Sequence, residues 1–147
     1  MESLRILLVD ENRHGLVARR AVLEELGYVV ETASLAGEGL QKAEEKSFDV
    51  VVTDYRFADF GGPELIARLH ERSPRTPAIL LSGYVAALGL TEVSTGADIV
   101  LPKGPSEHKQ LVHAIARLLR PRASSSKTSR GALSSRSTLA PRKRRMA

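Results

Sequence analysis

Cysteine and tryptophan are absent from this 147-residue chain, and aromatic residues make up only 4% of it. Without cysteine, the fold cannot depend on disulfide bonds, and no metal ion can be held by thiolates. The stretch from Pro77 to Leu90 carries no charge, but it is shorter than the roughly 20 residues that span a bilayer. The apolar residues 6–9, ended by Asp10 and Glu11, are too few for a signal peptide. We therefore expect a cytoplasmic protein without a membrane segment.

Acidic residues are missing from residues 121–147, which contain eight of the 22 Lys and Arg. Residues 1–120 hold the other 14 bases and all 17 acids, so the net charge of +5 for the whole chain conceals a body of charge −3. The basic segment has only Leu133, Leu139 and Met146 as large apolar residues, too few for a core. We predict one domain over 1–120 and a disordered basic tail over 121–147, with no folded DNA-binding output domain in that tail.

Short apolar, β-branched runs alternate with segments of helical spacing along the first 120 residues. The predicted strands are 5–9, 28–32, 49–53, 77–81 and 98–101. The predicted helices are 13–26, with Leu16, Leu23 and Leu26 on one side, then 35–46, 63–72, a weaker 85–95, and 107–119. Gly27 and Gly96 follow helices, where a left-handed residue is expected. Runs such as VVV lack alternation, which favours strands buried on both faces. The pattern predicts an α/β fold, a (βα)₅ three-layer sandwich with a five-stranded parallel sheet.

Polar side chains stand where the predicted strands end, and ligands of open parallel sheets bind at that edge. Asp10 and Glu11 follow the first strand, Asp54 the third, Ser82 the fourth and Lys103 the fifth. With the strand order 2-1-3-4-5, these four strands are neighbours, so their terminal side chains would converge on one pocket. Three carboxylates in one pocket repel each other unless a cation neutralises them. Mg²⁺ prefers such oxygen ligands, and an Asp carboxylate can attack phosphorus, with Lys103 and Ser82 as donors to the transferred group.

Several motifs, in this order, resemble the response-regulator receiver domains of two-component signalling over about residues 4–120. They are ILLVDEN, VVTDYRF, GGPEL, ILLSG and GADIVLPKG. The resemblance implies a Mg²⁺-dependent, phospho-accepting switch that catalyses only its own phosphorylation and dephosphorylation and is not a conventional enzyme. It also implies a sensor histidine kinase or a phosphotransfer protein as the phosphodonor, and a downstream protein partner that recognises the phosphorylated face. Because of the predicted tail, we expect a receiver that stands alone.

The resemblance also assigns roles to single residues. Asp54 would accept the phosphoryl group, and Glu11, Asp54 and the main-chain carbonyl of Arg56 would bind Mg²⁺ directly, with Asp10 acting through water. Lys103 would pair with the acceptor carboxylate or the phosphoryl group. Ser82 would move to hydrogen-bond the phosphoryl group.

The sequence departs from the family pattern in four places. Phe57-Ala58 replaces the usual Met-Pro, and Gly61 replaces a frequent Asp. Gly104 follows Lys103 where the family has a proline that makes a cis peptide bond, so the loop is expected to differ. Val100 stands where an aromatic residue usually rotates inward on activation.

Simpler interpretations exist for most of these residues. Asp10 and Glu11 alone would suit a helix N-terminus, Asp54 and Ser82 would suit turns, and Lys103 would suit a solvated surface. The four histidines share no metal-ligand spacing and are expected at the surface. The alternative function is a degenerate receiver that acts as a protein or nucleic-acid adaptor through the tail. The cluster PRKRR at 141–145 suits a phosphate backbone, but the tail lacks aromatic residues for stacking. A small α/β hydrolase or phosphatase would need a second general acid.

Overall fold

The computed structural model describes residues 3–120, so the predicted tail at 121–147 lies outside the described residues. Strands and helices alternate along the described chain. The strands are β1 Arg5–Val9, β2 Val29–Ala33, β3 Val50–Thr53, β4 Ala78–Ser82 and β5 Ile99–Pro102. The helices are α1 Arg13–Glu25, α2 Ala36–Glu45, α3 Gly62–Arg72, α4 Val85–Leu88, α5 Glu92–Thr95 and α6 Glu107–Leu118.

The five strands form one parallel sheet in the order β2-β1-β3-β4-β5. This order confirms the predicted (βα)₅ sandwich. Four strands begin one residue later than predicted, and three of these also end one residue later. Strand order reverses between β1 and β3, and the carboxyl ends of these two strands lie next to each other there. This is the position where open parallel sheets bind ligands.

The sheet is buried on both faces, which explains why its strands are apolar without alternation. On one face, residues such as Ile6 and Leu8 pack with Leu23 of α1 and Ile115 of α6. On the other face, residues such as Leu7 and Val9 pack with α2 and α3. α2 approaches β1 closely at Gly39, where a Cβ atom would lie 2.8 Å from the side chain of Val9. Both layers of helices therefore hold the ends of β1 and β3 in fixed positions.

Two helix predictions need correction. The segment 85–95 is not one helix, because Gly89 adopts a left-handed φ of 61° and ends α4, and Thr91 then caps α5. The first helix ends at Glu25, and Leu26 is 55% exposed. The buried face of α1 consists instead of Leu16, Arg19 and Leu23.

Gly27 and Gly96 have φ values of 98° and 82°, so the predicted left-handed positions after α1 and α5 are confirmed. None of the four histidines is buried, as expected. Within residues 3–120, every helix is too short or too polar to cross a membrane.

Candidate functional site

Asp54 directly follows β3 and lies at the centre of the predicted pocket. Its amide donates a hydrogen bond to the carbonyl of Val9 in β1. One carboxylate oxygen, Oδ1, accepts a hydrogen bond of 2.6 Å from the amide of Tyr55. The side chain is 16% exposed, so a small anion can reach it from solvent. Asp54 is thus held by main-chain hydrogen bonds while its side chain stays partly exposed.

Lys103, which follows β5, joins the acids at the ends of β1 and β3. Its Nζ donates to Asp54 Oδ2 at 2.9 Å and to Asp10 Oδ2 at 2.7 Å. Burial would lower the pKa of Lys103, but the hydrogen bonds and charges of Asp10 and Asp54 outweigh it and raise the pKa above its usual value. Lys103 therefore stays charged beside the carboxylate of Asp54. The structure brings Asp10, Asp54 and Lys103 together as the sequence predicted.

Asp10 is almost fully buried, and its carboxylate contacts two cations. Besides Lys103, Arg19 Nη1 donates to Asp10 Oδ2 at 3.1 Å. The other oxygen, Oδ1, accepts a hydrogen bond of 2.9 Å from the amide of Asn12. The side chain of Arg19 is only 4% exposed. Sequence reasoning missed Arg19, although its spacing of three residues from Leu16 and four from Leu23 places it on the buried face of α1.

The oxygen donors near Asp54 suit a hard divalent cation in type, but they are not gathered into a finished metal site. Glu11 Oε2 accepts a hydrogen bond of 2.5 Å from the amide of Ala58, in the loop that follows Asp54. Among residues 3–120, no three His, Cys, Asp or Glu side chains stand close enough together to hold a metal ion. Carboxylates of Asp10, Glu11 and Asp54, with a main-chain carbonyl, nevertheless form a donor set that Mg²⁺ prefers. The residues fit Mg²⁺ in chemistry, and their roles as ligands stay predictions.

Ser82, at the end of β4, is fully buried, and its hydroxyl accepts a hydrogen bond of 3.0 Å from the amide of Tyr84. The Arg56 guanidinium lies over the Tyr84 ring, 4.5 Å from the ring centroid. Tyr55 packs at an angle against the same ring, with 6.2 Å between centroids. The loops after β3 and β4 are therefore joined by side chains beside Asp54.

The loop after Asp54 is fixed by two further contacts. Gly62, the first residue of α3, approaches the backbone so closely that a Cβ atom there would lie 2.0 Å from the carbonyl oxygen of Asp54. Asp59 accepts hydrogen bonds from the amides of Ala36 and Gly37 at the start of α2. Burial would raise the pKa of Asp59, but these hydrogen bonds and that of Phe60 outweigh it and lower the pKa. The sequence analysis identified GGPEL as a motif, but it did not predict the close approach of Gly62 to Asp54.

Two predicted departures are visible in the structure. Residues 3–120 contain no cis peptide bond, so the Lys103–Gly104 bond is trans. Val100 packs at the edge of a small apolar cluster that includes Ile66, Leu80 and Ala97. A short aliphatic side chain thus fills the place of the usual aromatic residue.

A family model described as the response regulator receiver domain matches residues 6–116. Among curated proteins, the photosynthetic apparatus regulatory protein RegA of Cereibacter sphaeroides is 32% identical over 111 residues, which are 75% of this chain and 60% of RegA. The gliding motility regulatory protein of Myxococcus xanthus is 31% identical over 120 residues, which are 80% of this chain and 15% of that protein. The chain thus spans less than two thirds of the length of these relatives.

Solved structures show the same likeness. A CheY-like response regulator receiver domain protein from Methanospirillum hungatei has a TM-score of 0.76 and 31% identity, covering 84% of this chain and 99% of that one. The response regulator TrrA of Thermotoga maritima, solved in complex with Mg²⁺-BeF, has a TM-score of 0.72 and 25% identity, covering 79% of this chain and 99% of that one.

Proposed function

Because the chain belongs to the response regulator receiver domain family of two-component systems, we propose that it is a phospho-accepting switch with Asp54 as its acceptor. The observation that carries the proposal is the contact between Asp54 and Lys103. A carboxylate at the carboxyl end of a central strand lies 2.9 Å from a partly buried ammonium group and is still reachable from solvent. That arrangement suits a nucleophile whose product bears additional negative charge.

In the proposed step, a carboxylate oxygen of Asp54 attacks the phosphorus of a phosphohistidine on a sensor kinase or phosphotransfer protein. The new oxygen–phosphorus bond forms as the phosphorus–nitrogen bond breaks, and the electron pair stays on the imidazole. The Lys103 ammonium, which now contacts Asp54 Oδ2, is placed to pair with an oxygen of the transferred group. The hydrogen bond from Tyr55 orients the Asp54 carboxylate during the approach.

Mg²⁺ is the cofactor that this donor set would take. Glu11, Asp54 and the carbonyl of Arg56 would hold it directly, and Asp10 would act through water. When bound, the ion would neutralise charge on the phosphoryl oxygens as they approach the acidic pocket. The roles of the protein groups follow from their present contacts. Lys103 already screens Asp10 from Asp54, and the Glu11 carboxylate is tied to the loop that carries Arg56.

Ser82 is the proposed reporter of phosphorylation. Its hydroxyl is buried at the end of β4 and accepts a hydrogen bond from the amide of Tyr84. A rotation of the hydroxyl toward a phosphoryl group on Asp54 would give up that bond and move the loop that carries Tyr84. With Val100 in place of an aromatic residue, we propose that this loop, rather than an inward-turning ring on β5, carries the change to a partner.

The proposal is tested by intact-mass measurement after incubation with acetyl phosphate and Mg²⁺. Wild type should gain one phosphoryl group, and Asp54→Asn should gain none. Asp59→Asn is the matched control, since Asp59 is an exposed carboxylate in the same loop, and it should still be labelled. Equal labelling of wild type and Asp54→Asn would refute the proposal.

A further inference from the structure

Arg19 lies where an apolar residue is expected on the buried face of α1. It is three residues after Leu16 and four before Leu23, both in the core. Among residues 3–120, Arg19 is the only buried basic residue. A buried guanidinium is stable only when its charge and donors are satisfied, so its partners indicate why it is there.

The partners of Arg19 connect the acidic pocket to the loop between β5 and α6. Nη1 donates to Asp10 Oδ2 at 3.1 Å, and Nε donates to Glu107 Oε2 at 2.9 Å. Glu107 in turn accepts a hydrogen bond from the amide of Gly104, the residue after Lys103. One guanidinium is therefore shared between an acid of the proposed metal site and an acid at the start of α6.

Gly15 provides the space for this side chain. A Cβ atom at Gly15 would lie 2.9 Å from Nη2 and 3.1 Å from Nη1 of Arg19, closer than atoms of this kind normally pack. Glycine inside a helix is less favourable than alanine, so its place in the first turns of α1 has a cost in helix propensity. Gly15 thus makes α1 less stable than alanine would, but it leaves room for the guanidinium of Arg19.

We propose that Arg19 is a positioning residue, a fixed internal cation that competes with Mg²⁺ for Asp10 and thereby sets the metal affinity of the site. The proposal rests on the proposed function, because it assumes that Asp10 faces the metal. Asp10 Oδ2 already accepts from Arg19 and Lys103, and Oδ1 accepts from the amide of Asn12. To act on Mg²⁺ through water, Asp10 would therefore have to give up or share one of these donors, and the nearby guanidinium would repel the cation.

Glu107 moderates that competition. Its carboxylate shares the positive charge of the guanidinium with Asp10, because Nε donates to Glu107 while Nη1 donates to Asp10. Loss of the Glu107 charge should leave Arg19 paired with Asp10 alone and weaken Mg²⁺ binding. Loss of the Arg19 charge should have the opposite effect. A purely structural role for the network predicts no such opposition, since both changes would only lower stability.

The test is Mg²⁺ affinity by titration calorimetry on the unphosphorylated full chain, without a phosphodonor. Arg19→Met should bind Mg²⁺ roughly three- to tenfold more tightly than wild type, as expected for removal of one screened positive charge. Arg19→Lys keeps the charge and should stay near wild type. Arg20→Met is the matched control, because Arg20 is half exposed and pairs with Glu24 on the outer side of the same helix. It should leave the affinity unchanged.

Two further variants protect the test from a failure of Arg19→Met to fold. Gly15→Ala should push the guanidinium tip away, favour the helix, and tighten Mg²⁺ binding. Glu107→Gln should weaken Mg²⁺ binding.

The proposal would be overturned if folded Arg19→Met or Gly15→Ala bound Mg²⁺ with wild-type or weaker affinity. It would also be overturned if Arg20→Met gained as much affinity as Arg19→Met. If neither wild type nor the Arg19 and Gly15 variants binds Mg²⁺, the metal role in the proposed function fails as well. Normal binding by wild type without a change in these variants refutes only this inference.

Discussion

The pair Arg56 and Tyr84 should slow the loss of the phosphoryl group from Asp54. Hydrolysis requires water to reach phosphorus in line with the oxygen that leaves, on the side away from Asp54. Arg56 and Tyr84 each stand two residues beyond a site residue, Asp54 and Ser82, and their side chains are stacked at 4.5 Å. We expect the stack to cover this approach, and we expect the guanidinium to pair with a phosphoryl oxygen and stabilise the ground state.

The size of the effect follows from exposure. Arg56 is exposed and Tyr84 is 40% exposed, so opening the cation–π contact to admit water should cost about 0.5–1 kcal/mol. A charge-assisted hydrogen bond from Arg56 to a phosphoryl group should add about 1 kcal/mol at a site this open to solvent. Together, a barrier lowered by about 1–2 kcal/mol should make Arg56→Ala/Tyr84→Ala lose phosphate roughly 5- to 30-fold faster than wild type.

The assay labels each protein, removes the phosphodonor by desalting, and follows the remaining phosphoprotein by intact mass at equal Mg²⁺. A double-mutant cycle should show that the two single effects are not additive, because the side chains act as one contact. Arg68→Ala is the control, since Arg68 of α3 makes a cation–π contact of the same 4.5 Å with the ring of Phe60, in the loop before that helix. If the double variant is no faster than wild type, or if Arg68→Ala accelerates hydrolysis equally, the proposed shielding is wrong.

Three other predictions concern the loop and the charges around Asp54. Gly62→Ala should lower the free energy of unfolding by about 1–3 kcal/mol and slow phosphorylation, because its Cβ would meet the carbonyl oxygen of Asp54. Urea unfolding and labelling assays measure the two effects. Gly83→Ala is the control, since a Cβ there meets nothing within 4 Å, and it should change neither stability nor labelling. Asp59→Ala should lower the free energy of unfolding by about 0.5–1 kcal/mol. Because the pKa of Asp59 is lowered in the fold, this difference from wild type should be complete above the unfolded pKa of Asp59 and should vanish as pH falls through its folded pKa. Because the pKa of Lys103 is raised in the fold, its pairing stabilises the protein fully below the unfolded pKa, and this stabilisation is lost as pH rises through the folded pKa. Urea unfolding at a series of pH values should therefore show an alkaline loss of stability in wild type that Lys103→Met lacks. The same alkaline loss in both proteins would contradict the pairing.

The unbroken apolar strands, separated by helices, predicted the parallel three-layer sandwich. The meeting of Asp10, Asp54 and Lys103 was predicted with the strand order 2-1-3-4-5 taken as given, because apolar spacing alone does not determine the order of the strands. The splitting of segment 85–95 was missed, since its apolar residues obscured the left-handed Gly89 and the cap at Thr91. These local signals were present in the sequence, but they were weaker than the apparent helical spacing.

The buried position of Arg19 was missed for a different reason. An arginine on a helix is normally solvent-exposed, and the spacing that included Leu26 indicated an apolar face that in fact ends at Leu23. Only the contact with Glu107, 88 residues away in the chain, shows that the guanidinium has partners inside the fold. The close approach of Gly62 to Asp54 is likewise a tertiary contact that spacing does not reveal.

The role of Asp54 as phospho-acceptor is tested by locating the phosphoryl group in the labelled protein. Wild type labelled with acetyl phosphate and Mg²⁺ would be treated with borohydride, which reductively cleaves an acyl phosphate and leaves homoserine, and then digested for peptide mass spectrometry. We predict homoserine at residue 54, and none when Mg²⁺ is chelated before labelling. Homoserine at another aspartate, a reduced glutamate, a phosphoryl group on a histidine or serine instead, or equal labelling of residue 54 without Mg²⁺ would contradict the proposal.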